Sequence, residues 1–147
     1  MNNCALCPPR PASKDHVLEI APLSISTLYL NRDQRFRGYC LLVFDACHAT
    51  GLEELSLGEY NAFMADLRQA VRAVRAATQP DHMNYECLGN SSPHLHWHLV
   101  PRYRDDPRWG NPIWDGEPFE PRQIMLPEEE LVALRDQIRH HFQQPPT

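Results

Sequence analysis

The chain has 147 residues, 42% of them hydrophobic and 22% charged, which is typical of one globular domain that can bury a core without disulfides. A net charge of −5 argues against general affinity for nucleic-acid polymers, because such affinity depends on lysine and arginine contacts to phosphates. Apolar runs such as Cys40 to Phe44 are far too short to cross a bilayer, so no membrane association is expected. The N-terminus has neither the basic start nor the apolar middle of a secretory signal, and we expect a cytoplasmic location.

Cys4 and Cys7 lie near the N-terminus and are separated by two residues. This spacing allows two thiolates to bind one tetrahedral ion. Two cysteines supply only half of a structural zinc site, and His48 and His94 are natural candidates for the other half. The alternative is a pair of unligated thiols. Five cysteines are an odd set and do not predict a disulfide framework.

Short apolar segments separated by turn residues predict five strands, and two longer segments predict helices. The first helix opens at Ser56 with Glu59 at capping-box spacing, and it ends before Pro80. The second begins near Pro127, and Leu131, Leu134 and Ile138 form its buried face. The predicted strands cover residues 16–20, 25–30, 39–44, 82–88 and 94–100.

His94, His96 and His98 recur at period two in the last predicted strand, so they are expected to share one face of it. A row of imidazoles can span a polyphosphate or bind a metal, and a metalloenzyme with a catalytic ion on these histidines is one interpretation. Residues 89–93 precede the row with glycine, amide and hydroxyl groups that could bind a phosphate, although they are also ordinary turn residues. Arg102 follows the row and could hold an anion, but arginines at a strand end are more often solvated.

The run His94-Leu95-His96-Trp97-His98-Leu99-Val100, with the two-cysteine start and Gly89 to Ser91, resembles the histidine triad (HIT) superfamily of nucleotide hydrolases and transferases. Residues 84–101 look most like its bacterial diadenosine polyphosphate hydrolase-like branch. The resemblance implies a small α+β fold with a five-stranded antiparallel sheet, one long helix and one C-terminal helix, commonly paired into a homodimer. It implies one HIT-like domain over 1–147, with 108–147 as a C-terminal loop and helix extension.

The resemblance also implies a reaction, in which His96 attacks the α-phosphorus of a dinucleoside polyphosphate or of an adenosine monophosphate ester or phosphoramidate. Water or another acceptor then resolves the nucleotidyl-histidine. His98 is expected to hydrogen-bond the α-phosphate and assist the leaving oxygen, Asn90 and Ser91 to bind the phosphate, and Asn31 to contact the ribose. By position the ligands of a structural zinc are Cys4, Cys7, His48 and His94, and no organic cofactor is implied.

Two residues depart from the family pattern. Tyr39 follows Gly38 where many members have a further active-site histidine, and a tyrosine with an ordinary pKa does not shuttle protons at neutral pH. Asn90 replaces a common glutamine. Both motivate an alternative function, a zinc-stabilised, dimeric nucleotide-binding protein with little turnover. Trp109 and Trp114 are interpreted as packing or dimer contacts rather than base-stacking groups.

Overall fold

The computed structural model of the chain describes residues 4–10, 15–114 and 123–142. Its strands form one antiparallel sheet in the order β1-β2-β3-β5-β4, which confirms the predicted α+β fold with one long and one C-terminal helix. In chain order the elements are β1 (Val17–Pro22), β2 (Ser26–Asn31), β3 (Cys40–Phe44), α1 (Leu57–Thr78), β4 (His82–Glu86), β5 (His96–Arg102) and α2 (Glu128–His140), with a 3₁₀ turn at Leu52–Glu54 before α1.

Helix α1 has the predicted capping box at its start. The Ser56 hydroxyl accepts from the Glu59 backbone N–H at 3.2 Å, and the Glu59 carboxylate accepts from the Ser56 backbone N–H at 2.8 Å. Gln79 ends the helix in a left-handed conformation, immediately before Pro80. Phe63 and other apolar residues of the predicted stripe pack against the sheet, and the core therefore lies between α1 and one face of the sheet.

Cross-strand pairing determines which residues occupy the other face of the sheet. Leu41 pairs with His98, and Val43 pairs with His96. Tyr29 on β2 pairs with Leu41. Directly paired residues point to the same side, so Tyr29, Leu41 and Val43 form an apolar surface beside the two histidines.

Helix α2 packs against α1 and β1 and buries the predicted residues Leu131, Leu134 and Ile138. At one edge of the sheet, the Arg139 Nε donates to the Ile20 carbonyl of β1 at 2.6 Å. None of the helices in the described ranges is both long and apolar enough to cross a membrane. Parts of the expected extension over 108–147, namely 115–122 and 143–147, lie outside the described residues.

The prediction that His94, His96 and His98 form one row on a single strand is wrong for His94. Strand β5 begins only at His96. Before it, the Leu95 N–H donates to the Ala49 carbonyl at 2.7 Å, and the Leu95 carbonyl accepts from the Phe44 N–H at 3.1 Å. These bonds hold residues 94–95 in a bend outside the strand, where the His94 Nδ1 lies 3.5 Å from the Cys4 Sγ and 3.6 Å from the Cys7 Sγ.

Candidate functional site

The structure brings together the four residues expected to bind zinc. Their ligand atoms lie within 4.8 Å of one another. The His94 Nδ1 lies 3.5 Å from the Cys4 Sγ, 3.6 Å from the Cys7 Sγ and 3.4 Å from the His48 Nδ1. The Cys7 Sγ lies 3.4 Å from the His48 Nδ1.

These distances fit a tetrahedral zinc ion. Zinc–sulfur bonds of about 2.3 Å and zinc–nitrogen bonds of about 2.0 Å imply ligand separations of about 3.3 to 3.8 Å. The second nitrogen of His94 supports the same assignment, because its Nε2 donates to the Phe44 carbonyl at 2.7 Å and leaves the Nδ1 lone pair facing the thiols. Burial lowers the pKa of His94, which keeps the ring neutral and able to ligate.

Arg10 fastens the two-cysteine segment to the sheet. Its Nε donates to the Leu6 carbonyl at 2.6 Å, and its Nη1 donates to the Tyr29 hydroxyl at 2.9 Å. Nη2 pairs with the Asp45 carboxylate, which also accepts from the Thr27 hydroxyl at 2.6 Å. The guanidinium therefore joins the backbone between Cys4 and Cys7 to strands β2 and β3.

His96 and His98 lie side by side on β5 with their Nε2 atoms 3.1 Å apart. The backbone determines the tautomer of His96, because its Nδ1 lies 2.6 Å from the His94 carbonyl, which can only accept a hydrogen bond. A neutral His96 then carries its lone pair on Nε2. The His98 Nε2 must therefore carry the proton shared between the two rings, and the His98 Nδ1 must be an acceptor.

Tyr39 supplies the donor that this acceptor requires. Its hydroxyl lies 2.6 Å from the His98 Nδ1 and also hydrogen-bonds the Asn31 side chain. Burial of the ring, with a smaller contribution from the Glu86 carboxylate, raises the pKa of Tyr39 above its ordinary value and keeps the hydroxyl protonated. Burial and the neighbouring His96 lower the pKa of His98 to about 4, so His98 is neutral at pH 7.

The turn between β2 and β3 places the Tyr39 side chain. The Gln34 Oε1 accepts from the Gly38 N–H at 2.7 Å, and the Gln34 Nε2 donates to the Asn31 carbonyl at 2.5 Å. Gly38 has a φ of +86°, and an added Cβ would lie 2.5 Å from the Thr78 Cγ2. Glycine therefore permits the close turn that returns the chain to β3 at Tyr39.

A cavity of about 190 Å³ opens on the histidine face of the sheet. Its floor is apolar, and Arg10, His16 and Ser92 contribute polar groups to its walls. Sites for whole drug-sized ligands measure about 300 to 1,000 Å³, so this volume suits one part of a ligand, such as a nucleobase. The lining residues are Ala5, Leu6, Arg10, His16, Val17, Tyr29, Leu41, Val43 and Ser92.

Besides His98, three residues were expected to contact substrate, and the structure places only Asn31 next to the histidine pair, through Tyr39. Asn31 uses its Oδ1 to accept from the Asp33 N–H at 2.9 Å, as a turn residue does, and its side chain also contacts Tyr39. Asn90 and Ser91 are exposed in the loop that leads into His94. Ser91 lines a second, more polar cavity with Cys4 and His48.

Two further contacts near the site were not foreseen from the sequence. Arg102 is buried rather than solvated or free for an anion, because its guanidinium pairs with Asp106 and donates to Asn84 and to the Asn111 carbonyl. Trp114 contacts the His98 ring edge-on at 5.4 Å, and its Nε1 donates to Glu86. The pairing of Glu86 with His98 across β4 and β5 brings these groups together, and nothing in the local sequence signals it.

The comparisons with known proteins agree with this geometry. Residues 11–105 match the HIT domain family. No curated protein matches the chain.

Solved structures with the same fold include histidine triad proteins from several bacteria. A protein from Bradyrhizobium japonicum has a TM-score of 0.79 at 23% identity over 90% of this chain and 95% of its own. A protein from Sinorhizobium meliloti has a TM-score of 0.78 at 22% identity, covering 88% of this chain and 92% of its own. A zinc-bound histidine triad family protein from Mycobacterium smegmatis has a TM-score of 0.57 at 22% identity, covering 84% of this chain and 85% of its own.

Proposed function

Because the chain belongs to the HIT domain family, whose members are commonly nucleotide hydrolases, we propose that it cleaves a nucleotide at the α-phosphate through a nucleotidyl-His96 intermediate. One observation carries the proposal. The His94 carbonyl accepts the Nδ1 proton of His96, so the lone pair of the neutral ring is on Nε2, on the face that carries the apolar cavity. In the free protein this lone pair accepts from the His98 Nε2–H, and a bound phosphate would draw that N–H away from it. A neutral imidazole aligned in this way is a competent nucleophile at pH 7.

Each residue has a defined part in the first step. The nucleobase occupies the apolar cavity, and the His96 Nε2 forms a bond to the α-phosphorus as the bond to the bridging atom breaks. The developing positive charge on His96 is stabilised by the His94 carbonyl. The His98 Nε2–H, which donates to the His96 Nε2 in the free protein, donates instead to the oxygens around phosphorus when substrate is bound, and Asn90 and Ser91 bind the same phosphate from their loop. Water then forms a bond to phosphorus as the bond to the His96 Nε2 breaks. The electron pair returns to Nε2, the water gives its proton to solvent, and the nucleoside monophosphate is released.

The proposal includes a structural zinc ion bound by Cys4, Cys7, His48 and His94. Four protein ligands leave no open coordination position, so the ion would hold the His94 backbone in place without taking part in the reaction. The ligand separations near 3.5 Å support this assignment, and the zinc-bound relative from Mycobacterium smegmatis is consistent with it.

The proposal also includes a homodimer formed through β4. Both β1 and β4 are sheet edges, but Arg139 binds a β1 carbonyl, whereas β4 and the residues after it expose Tyr85 (50%) and Leu88 (41%). Exposed apolar groups beside an edge strand are suited to pairing with a second copy. Light scattering of the wild type and of Tyr85→Lys tests it: we expect a dimer that the substitution weakens, and a monomeric wild type would contradict it.

The alternative function is nucleotide binding with little turnover, which Tyr39 favours because it occupies a position where many family members have a histidine. Intact-protein mass spectrometry after rapid quenching with diadenosine tetraphosphate separates the two functions. We expect an adduct of one adenosine monophosphate on the wild type and none on His96→Gly. Tight binding without adduct or product would favour the alternative.

A further inference from the structure

The geometry points to Tyr39 as the residue that restricts the reaction to leaving groups that depart as anions, such as a polyphosphate, and against those that need a proton, such as an amine. This inference rests on the proposed function and selects between the substrate classes that the family admits. It concerns a positioning residue, because Tyr39 acts through His98.

The hydrogen-bond chain has a single direction. Asn31 contacts the Tyr39 hydroxyl, that hydroxyl donates to the His98 Nδ1, and the His98 Nε2 carries the only proton of the ring. Because the His98 Nδ1 is an acceptor, the tyrosine uses its proton there, and Asn31 meets the tyrosine oxygen through its amide N–H₂. Tyr39 therefore has its own proton directed at His98.

His98 can donate a hydrogen bond but has difficulty releasing a proton. If the His98 Nε2 lost its proton to a leaving atom, the ring would have to take the Tyr39 proton at Nδ1 and leave a phenolate. Tyr39 is 7% exposed, and the Glu86 carboxylate lies near it, so its environment opposes a negative charge there. The proton consequently stays on His98 throughout the step.

This constraint discriminates between leaving groups. When a polyphosphate leaves, the bond between the α-phosphorus and the bridging oxygen breaks and the electron pair stays on that oxygen. Phosphate groups with a pKa of about 6 are ionised at pH 7, so a hydrogen bond from His98 is sufficient. When an amine leaves a phosphoramidate, its nitrogen must gain a proton, and no group in this chain of hydrogen bonds readily supplies one.

The test compares diadenosine tetraphosphate with adenosine 5′-phosphoramidate for the wild type, Tyr39→His and Tyr39→Phe. We expect wild-type kcat/KM to favour the tetraphosphate at least about 100-fold, the lower range of a general acid's contribution. Tyr39→His should reduce that preference tenfold or more, since a second imidazole can supply the proton. Tyr39→Phe should lower kcat on the tetraphosphate with little change in KM. Tyr60→Phe, which removes the hydroxyl of a tyrosine that is 39% exposed on α1, is the matched control and should change neither the substrate preference nor kcat.

A spectroscopic measurement tests the same arrangement without turnover. Nitrogen-15 NMR of histidine-labelled protein should show His98 protonated on Nε2 in the wild type, with the Nδ1 signal shifted in Tyr39→Phe. A His98 protonated on Nδ1, or a wild type that prefers the phosphoramidate, would overturn the inference and leave the proposed function standing. Absence of turnover on both substrates, with no adduct on His96, would overturn both.

Discussion

The His94 carbonyl accepts the Nδ1 proton of His96 at 2.6 Å, and the ring of the same His94 lies in the cluster of candidate zinc ligands. A single residue thus connects the proposed metal site to the proposed nucleophile, through its side chain on one side and its backbone on the other. The Phe44 carbonyl binds the remaining nitrogen of His94 and completes the orientation of that ring.

This connection predicts that metal loss impairs catalysis although the metal does not meet the substrate. Cys4→Ser removes a proposed ligand, so it should reduce bound zinc and lower kcat by at least about 10-fold, the smallest loss typical of groups that only orient a metal ligand. Elemental analysis and initial rates on the same preparations check it. Cys87→Ser removes an exposed thiol outside the cluster and should leave the zinc content and kcat unchanged. Full turnover by zinc-free protein would refute the structural link.

Arg10 is expected to contribute more to stability than an exposed arginine does. In Arg10→Ala, the partly buried Asp45 carboxylate keeps the Thr27 hydroxyl but loses its charged partner, and the Leu6 carbonyl loses its donor. We therefore expect the free energy of unfolding to fall by about 2 to 4 kcal/mol. Urea unfolding of zinc-loaded protein measures it. Arg104→Ala is the matched control, because that side chain is 77% exposed and its pair with Asp81 should contribute under about 1 kcal/mol. Equal losses in the two variants would contradict the anchoring role.

Asp66 on α1 is a buried carboxylate that holds the turn between β1 and β2. It accepts from the backbone N–H groups of Ser24 and Ile25 and from the hydroxyls of Ser24 and Ser26, at 2.7 to 3.2 Å. Asp66→Ala should therefore lower the free energy of unfolding by about 3 kcal/mol or more. Circular dichroism during urea unfolding checks it, with the exposed Asp105→Asn as control. Because Asp66 lies on the helix side of the sheet, adduct formation on His96 should persist in Asp66→Ala. Loss of the adduct in a folded variant would contradict the assignment of Asp66 to stability alone.

The fold was predictable because its signals are local. Alternating apolar residues marked the strands, and the Ser56 and Glu59 capping box marked the start of α1. Cys4 and Cys7 could be proposed as zinc ligands from their spacing, whereas the full set with His48 and His94 depended on the resemblance to the HIT superfamily. The prediction that His94 lies on the strand was wrong because the backbone at residues 94–95 is held in a bend by residues distant in the sequence, and the sequence pattern carries no signal for such a bend. The contacts of Arg10 with Asp45 and of Tyr39 with His98 join residues 35 and 59 positions apart, and only the tertiary fold brings them together.

The low pKa of His98 predicts a loss of stability at acid pH. An unfolded histidine binds its proton near pH 6.5, whereas folded His98 does so only at about 4, so between these values the unfolded state holds the extra proton. Its contribution to stability is complete above pH 6.5 and falls by at most about 3 kcal/mol as the pH approaches 4. The difference in unfolding free energy between the wild type and His98→Asn should therefore shrink over this range, as urea unfolding at each pH would show. His141→Asn, at the end of α2 and outside the histidine pair, serves as the control substitution. If the difference between wild type and His98→Asn stayed constant with pH, burial would not lower the pKa of His98 in the folded protein, and this prediction would be contradicted.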